Sequence, residues 1–161
     1  MRKLKIYLDT SVISHLFAPD APDKQADTLQ LWEDIKNGLY EVIMSDVTLT
    51  EINNCKEPKY SILLDYLSEI EYELFPVTNE AENLAGEIIK QGILTQKSYD
   101  DCLHISIAVI NNCDIILSWN FKHMVNVKTI NGVRAVNILN GYKSIDIYSP
   151  TIIVKGDNTD E

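Results

Sequence analysis

Four separated stretches of the chain carry side chains able to do acid, base or metal chemistry. Asp9 closes the apolar run in KIYLDTSVISHL, and Glu51 lies in SDVTLTEI. Asp100 and Asp101 open SYDDCLHISIAVINN, and Ser118 and Asn120 stand in LSWNFKH. Carboxylates gathered in one place repel, and one of them then tends to keep its proton. A hard divalent cation such as Mg²⁺ or Mn²⁺ removes that conflict, because it prefers oxygen ligands and keeps several waters. Such a centre can hold a phosphate, activate water and stabilise a leaving oxygen. Each acid also has a plain structural reading. Asp9 could cap a helix together with Thr10 and Ser11. Glu51 taken alone reads as a solvated helix residue. Asp100 and Asp101 both suit the positive N-terminus of a helix, a role worth about 0.3–1 kcal/mol. Apolar residues fill most of the following positions, so helix phase does not choose between these two.

The elements that must position these groups follow from periodicity. Ile6–Leu8 reads as a short buried strand, with a helix starting near Thr10 or Ser11. Lys24 to Asn37 reads as a helix closed by Gly38, and Glu41–Met44 as a second strand. A helix follows through Leu49 and Ile52, capped from Ser45, Asp46 or Thr48. Ile62–Ile70 is helical, Tyr72–Phe75 a third strand, Glu80–Gln91 a helix and Ser98–Asn112 a long apolar helix. Asp114–Leu117 is a fourth strand, Val133–Asn140 a helix ending at Gly141, and Ile145–Tyr148 a fifth strand. Short strands alternating with helices predict βαβ units and a parallel sheet covered on both faces. In such sheets, sites lie beyond the carboxyl ends of the strands. An acid at the end of the first strand then faces a crevice.

The 161 residues, 45% of them hydrophobic, suit one domain with a real core. Residues 1–152 are expected to form it, with 153–161 a frayed polar tail. No apolar run approaches the roughly 18 residues of a membrane span. Lys5 and Asp9 break the N-terminal apolar stretch, which therefore makes a poor signal peptide, and a cytoplasmic protein is expected. Cys55, Cys102 and Cys113 form no Cys-x-x-Cys pair and read as reduced, half-buried thiols. With 14 Lys and Arg against 24 Asp and Glu, the net charge is −10. That is the wrong sign for holding nucleic acid by bulk charge, so such chemistry would need bound metal or a basic partner.

In their order and spacing, YLDTSVI, LTEI, DDCLHISIA, LSWNFKHM and VNILNGYKSIDIYSP resemble the PIN domain. That family comprises metal-dependent ribonucleases and includes VapC-type toxins. The resemblance runs from Ile6 to about Pro150 and implies an α/β/α sandwich around a mainly parallel sheet of five short strands. By position, Asp9, Glu51 and Asp101 match the family's acids and would hold Mg²⁺ or Mn²⁺. Asp101 is chosen over Asp100 because the family pattern is Asp-x-x-His and His104 follows Asp101 by three. Asn120 falls where many members carry a fourth Asp. It can hydrogen-bond but brings no charge, which leaves one ion or two open. Thr10 and Ser118 resemble supporting hydroxyls. The resemblance implies hydrolysis of an RNA phosphodiester by in-line attack of water, with no covalent enzyme intermediate. It also implies a small antitoxin as partner and a homodimer.

Trp119 adjoins the expected site and could stack on a base. Lys122 and His123 could touch phosphate. His104, among apolar neighbours, reads as a buried hydrogen-bonded histidine. Trp32 reads as core, and His15 and His123 have no evident partner. Two rivals stand beside the nuclease. An aspartyl phosphatase of the haloacid-dehalogenase type would need a second Asp two residues after Asp9, where this chain has Ser11. A PIN fold kept as a binding or assembly module would account for the neutral Asn120 and the acidic surface.

Overall fold

A computed structural model describes residues 2–154. Five strands form one sheet: β1 (Leu4–Leu8), β2 (Tyr40–Ser45), β3 (Glu73–Phe75), β4 (Ile115–Leu117) and β5 (Asp146–Tyr148). The helices are α1 (Thr10–Ser14), α2 (Pro22–Lys36), α3 (Asp46–Asn53), α4 (Lys59–Leu67), α5 (Asn79–Lys90), α6 (Tyr99–Ile110), α7 (Val127–Asn140) and α8 (Pro150–Val154). A single 3₁₀ turn, Gln96–Ser98, leads into α6.

The strand order is β3-β2-β1-β4-β5, and all four pairings are parallel. The chain winds outward from β1 through β2 to β3, then returns to place β4 on the other side of β1. The order therefore reverses between β1 and β4, and a crevice opens beyond their carboxyl ends. Register sets which groups meet there. Leu8 pairs with Leu117, so Asp9 and Ser118 leave the sheet side by side.

Side chains along β1 alternate between two cores. Tyr7 joins Ile105, Ile116 and the inner faces of α5, α6 and α7. Ile6 and Leu8 join Trp32, Leu63 and Leu117 beneath α1, α2 and α4. Burying each such Leu or Ile contributes about 1.5–3 kcal/mol. Trp32 is core, as expected, and its Nε1 donates to the Tyr66 carbonyl. Gly38 and Gly141 follow α2 and α7 in the left-handed region, as expected of helix-ending glycines.

Two elements depart from the sequence expectation. Helix α7 begins at Val127, six residues before Val133, because Asn126 caps it by accepting from Thr129 N. Helix α8 was not expected at all. Its Val154 is buried in the second core, so packing reaches two residues past 152. The rest of the expected tail, 155–161, lies outside the described residues. Among the described residues no helix is long and apolar enough to cross a membrane.

Candidate active site

Asp9 is both cap and pocket wall, so its two readings are compatible. As N-cap of α1 it has extended backbone, and its Oδ1 accepts from Val12 N at 3.2 Å and from Ser11 Oγ at 2.6 Å. Ser118, from the end of β4, donates its Oγ to Asp9 Oδ2. These three donors support a carboxylate that is only 3% exposed. They do not fully offset its burial, which pushes the Asp9 pKa above the ordinary carboxylate range.

Glu51 stands one turn into α3 and is gripped through a single oxygen. Its Oε1 accepts from Thr10 Oγ1 at 2.8 Å and from His104 Nε2 at 2.7 Å. Burial acts to raise its pKa, but His104 and Thr10 outweigh it and the net shift is downward. His104 is buried, as expected, and reaches the site as well. On the other edge of the ring, His104 Nδ1 lies 2.6 Å from the Tyr7 hydroxyl, which hydrogen-bonds Ser45 Oγ at 2.7 Å. A buried chain thus runs from the sheet to the Glu51 carboxylate.

Asp101 lies in the first turn of α6. Geometry separates it from its neighbour: Asp101 lines the same pocket as Asp9, whereas Asp100 is exposed. Burial raises the Asp101 pKa and the nearby Asp9 charge adds to this, against the opposing pull of His104 and His123. His123 therefore does have a partner, its Nδ1 lying 3.2 Å from Asp101 Oδ2. Asn120 is fixed by its neighbours. Its N donates to Ser118 Oγ, its Oδ1 accepts from His123 N at 2.9 Å, and its Nδ2 faces Asp101.

Asp9, Thr10, Ser11, Ser14, Glu51, Asp101, His104 and Asn120 line one pocket of about 280 Å³. Ser11 and Ser14 were not singled out from sequence as site residues, and His123, expected as a phosphate contact, partners Asp101 instead. The LDTS stretch held the signal for Ser11, since a hydroxyl two residues past a capping Asp can bond that Asp. Two expected RNA contacts do not line the pocket. Lys122 is exposed beside it. Trp119 is buried because its Nε1 donates to Thr28 Oγ1 and its backbone N to Ser11 Oγ, so the exposed ring at this rim is Phe121. A larger groove of about 510 Å³ lies between α2 and α4, but no carboxylate cluster of this kind faces it.

The chain matches the family model of the PIN domain over residues 6–122. It belongs to the PIN domain family. Among solved structures it resembles VapBC2 from Rickettsia felis bound to a DNA fragment from their promoter. That match has 17% identity, covers 91% of this chain and 98% of that one, and has a TM-score of 0.55. It also resembles VapC20 from Mycobacterium tuberculosis, a sarcin-ricin loop cleaving toxin. There the identity is 17%, the cover 73% of this chain and 92% of that one, and the TM-score 0.57. These likenesses show a shared fold. No curated protein matches the sequence.

The donor set suits a hard cation. Asp9, Glu51 and Asp101 offer carboxylate oxygen, whereas Asn120 turns its Oδ1 to His123 N and its Nδ2 to Asp101. Among the described residues no group of three or more of His, Cys, Asp and Glu stands close enough to hold a metal ion by itself, and Mg²⁺-type ions need only one or two carboxylates and several waters. Asp9, Glu51 and Asp101 are the residues that would hold such an ion.

Proposed function

We propose that this PIN domain is a divalent-metal-dependent endoribonuclease and acts as the toxin of a toxin–antitoxin pair in the cytoplasm. The observation that carries the reading is the convergence of Asp9, Glu51, Asp101 and Asn120 on one pocket at the switch point of the sheet. Bound Mg²⁺ or Mn²⁺ would supply charge for the phosphate, a more acidic water and a sink for the leaving 3′-oxygen. The chain's own residues do the rest. Ser11, Ser118 and Val12 N hold Asp9 as an anion in a dry wall. Thr10 and His104 keep Glu51 ionised and leave its Oε2 to orient water. Asn120 and His123 fix Asp101 on the far side of the pocket.

An antitoxin would seat an amphipathic helix in the groove between α2 and α4, where the half-buried Leu29 and Tyr66 supply apolar surface. The family resemblance also points to a homodimer. The test of the activity is hydrolysis of RNA by purified protein with Mn²⁺, compared with Asp101→Asn and with EDTA. Cutting that needs both metal and Asp101 supports the reading. Tight RNA binding with no cutting under any metal would favour the binding-module alternative, which the neutral Asn120 motivates.

A further inference from the structure

The rim of the pocket carries an aromatic and cationic cluster that the proposed chemistry does not use. Ser14 and Asn120 line the pocket, and the cluster begins at their chain neighbours His15 and Phe121. Phe121 is 47% exposed, and its ring stands edge-on to that of Trp119, with centroids 6.2 Å apart. His15 packs on the same indole at 5.8 Å, its Nδ1 donating to the Ser11 carbonyl. Lys24 Nζ lies 5.3 Å from the Phe121 centroid and 5.8 Å from that of Trp119. The cluster is pinned from behind. Trp119 Nε1 donates to Thr28 Oγ1, and Thr28 donates onward to the Lys24 carbonyl, locking the indole to the first turns of α2. Trp119 N bonds Ser11 Oγ, which bonds Asp9, so the platform and the acid share one rigid frame.

An exposed aromatic ring set beside an ammonium at the rim of a carboxylate pocket offers a stacking face and a cation side by side. In a chain of net charge −10, a lysine held on rings near a carboxylate pocket also stands out. The geometry points to a nucleotide subsite: an unpaired base of the RNA stacks on Phe121, and Lys24 takes its phosphate. This deepens the nuclease reading and rests on it. Trp119 is the buried support of this subsite. The subsite selects unstacked nucleotides next to the scissile bond, since a base inside a duplex cannot present its face to the ring.

The test is fluorescence anisotropy with a short labelled single-stranded oligoribonucleotide and the same strand annealed to its complement, in EDTA and again in Ca²⁺. Phe121→Ala should weaken single-strand binding roughly 5- to 150-fold, the span that about 1–3 kcal/mol per stacked base gives. Phe121→Tyr should restore it, and Phe121→Leu should not. Lys24→Gln should lower the slope of log affinity against log salt by about 0.7, as for one phosphate contact on a single strand. Wild-type affinity in Phe121→Ala, equal affinity for duplex, or no binding by the wild type would each overturn the subsite. Cleavage with Mn²⁺, run in parallel, separates the two readings. Binding through Phe121 without cutting refutes the nuclease alone, whereas cutting with an unchanged KM in Phe121→Ala refutes the subsite alone.

Discussion

Gly132→Ala should destabilise the fold, against what helix propensity dictates. Gly132 sits inside α7, where Ala is preferred over Gly by about 0.8–1.0 kcal/mol. A Cβ there would lie 2.5 Å from Ile93 Cγ1 and 2.9 Å from both its Cδ1 and Cγ2. Ile93 is buried and branches at Cβ, so neither γ-carbon can swing clear without moving the main chain or its neighbours. Overpacking of this kind costs about 1–3 kcal/mol, more if the chain cannot shift. The net expectation is a loss of up to about 2 kcal/mol. For a domain of this size that lowers Tm by up to about 8 °C. Thermal and urea unfolding of Gly132→Ala, Ile93→Ala and the double variant form the cycle. In the Ile93→Ala background the clash is gone, and Gly132→Ala should become neutral or stabilising. A Tm that rises in the single variant, or a cycle with no coupling, would refute the argument that close approach to Ile93 requires glycine at 132.

Three further outcomes follow from the charges and the buried chain. Asp114 accepts from Arg2, from Lys5 N and from Lys143, with Arg2 the largest influence, and its carboxyl is held down to about 2. Its folded value lies below the unfolded one of about 4. Its contribution is therefore full above pH 4 and lost as pH falls through 2, so urea unfolding should show Asp114→Asn less stable than wild type at pH 5 and equal near pH 2. Asp9 is shifted the other way by burial, so in EDTA its penalty is absent below the unfolded carboxylate value and grows as pH rises through the folded one. Asp9→Asn should therefore gain stability relative to wild type between acid and neutral pH, and a flat difference across that range would contradict the reading. His104→Leu leaves Tyr7 its bond to Ser45, so stability should fall by only about 1 kcal/mol. Cleavage should nevertheless drop at least about tenfold, because Glu51 loses the bond that sets its direction, and unchanged kcat with RNA would contradict this.

The fold was legible because the strands are short, apolar and separated by capped helices. All five strands and the helices around the site lie within a few residues of their expected places. The early start of α7 was hidden by VNVKTINGV, whose polar residues mask the periodicity while Asn126 supplies the cap. Helix α8 was missed because Pro150 reads as a terminator after a strand, although Pro also suits the first position of a helix. At the site, carboxylate identity was readable from motif order. The partners were not, because His104, His123 and Ser11 act through contacts that span from 2 to 108 residues. Trp119 illustrates the limit. Its place beside the site was clear, but its burial depends on Thr28, 91 residues away. No local pattern assigns exposure to Phe121 and burial to Trp119.

The central claim is that the Asp9 pocket hydrolyses RNA with a divalent ion. It is tested most directly by incubating wild type and Asp9→Asn, purified identically, with structured and single-stranded RNAs in Mn²⁺, Mg²⁺ and EDTA. Wild type should cut in metal and not in EDTA, and Asp9→Asn should not cut in either. Equal cutting by the two proteins would assign the activity to a contaminant. No cutting by folded wild type freed of any co-purified protein would contradict the account.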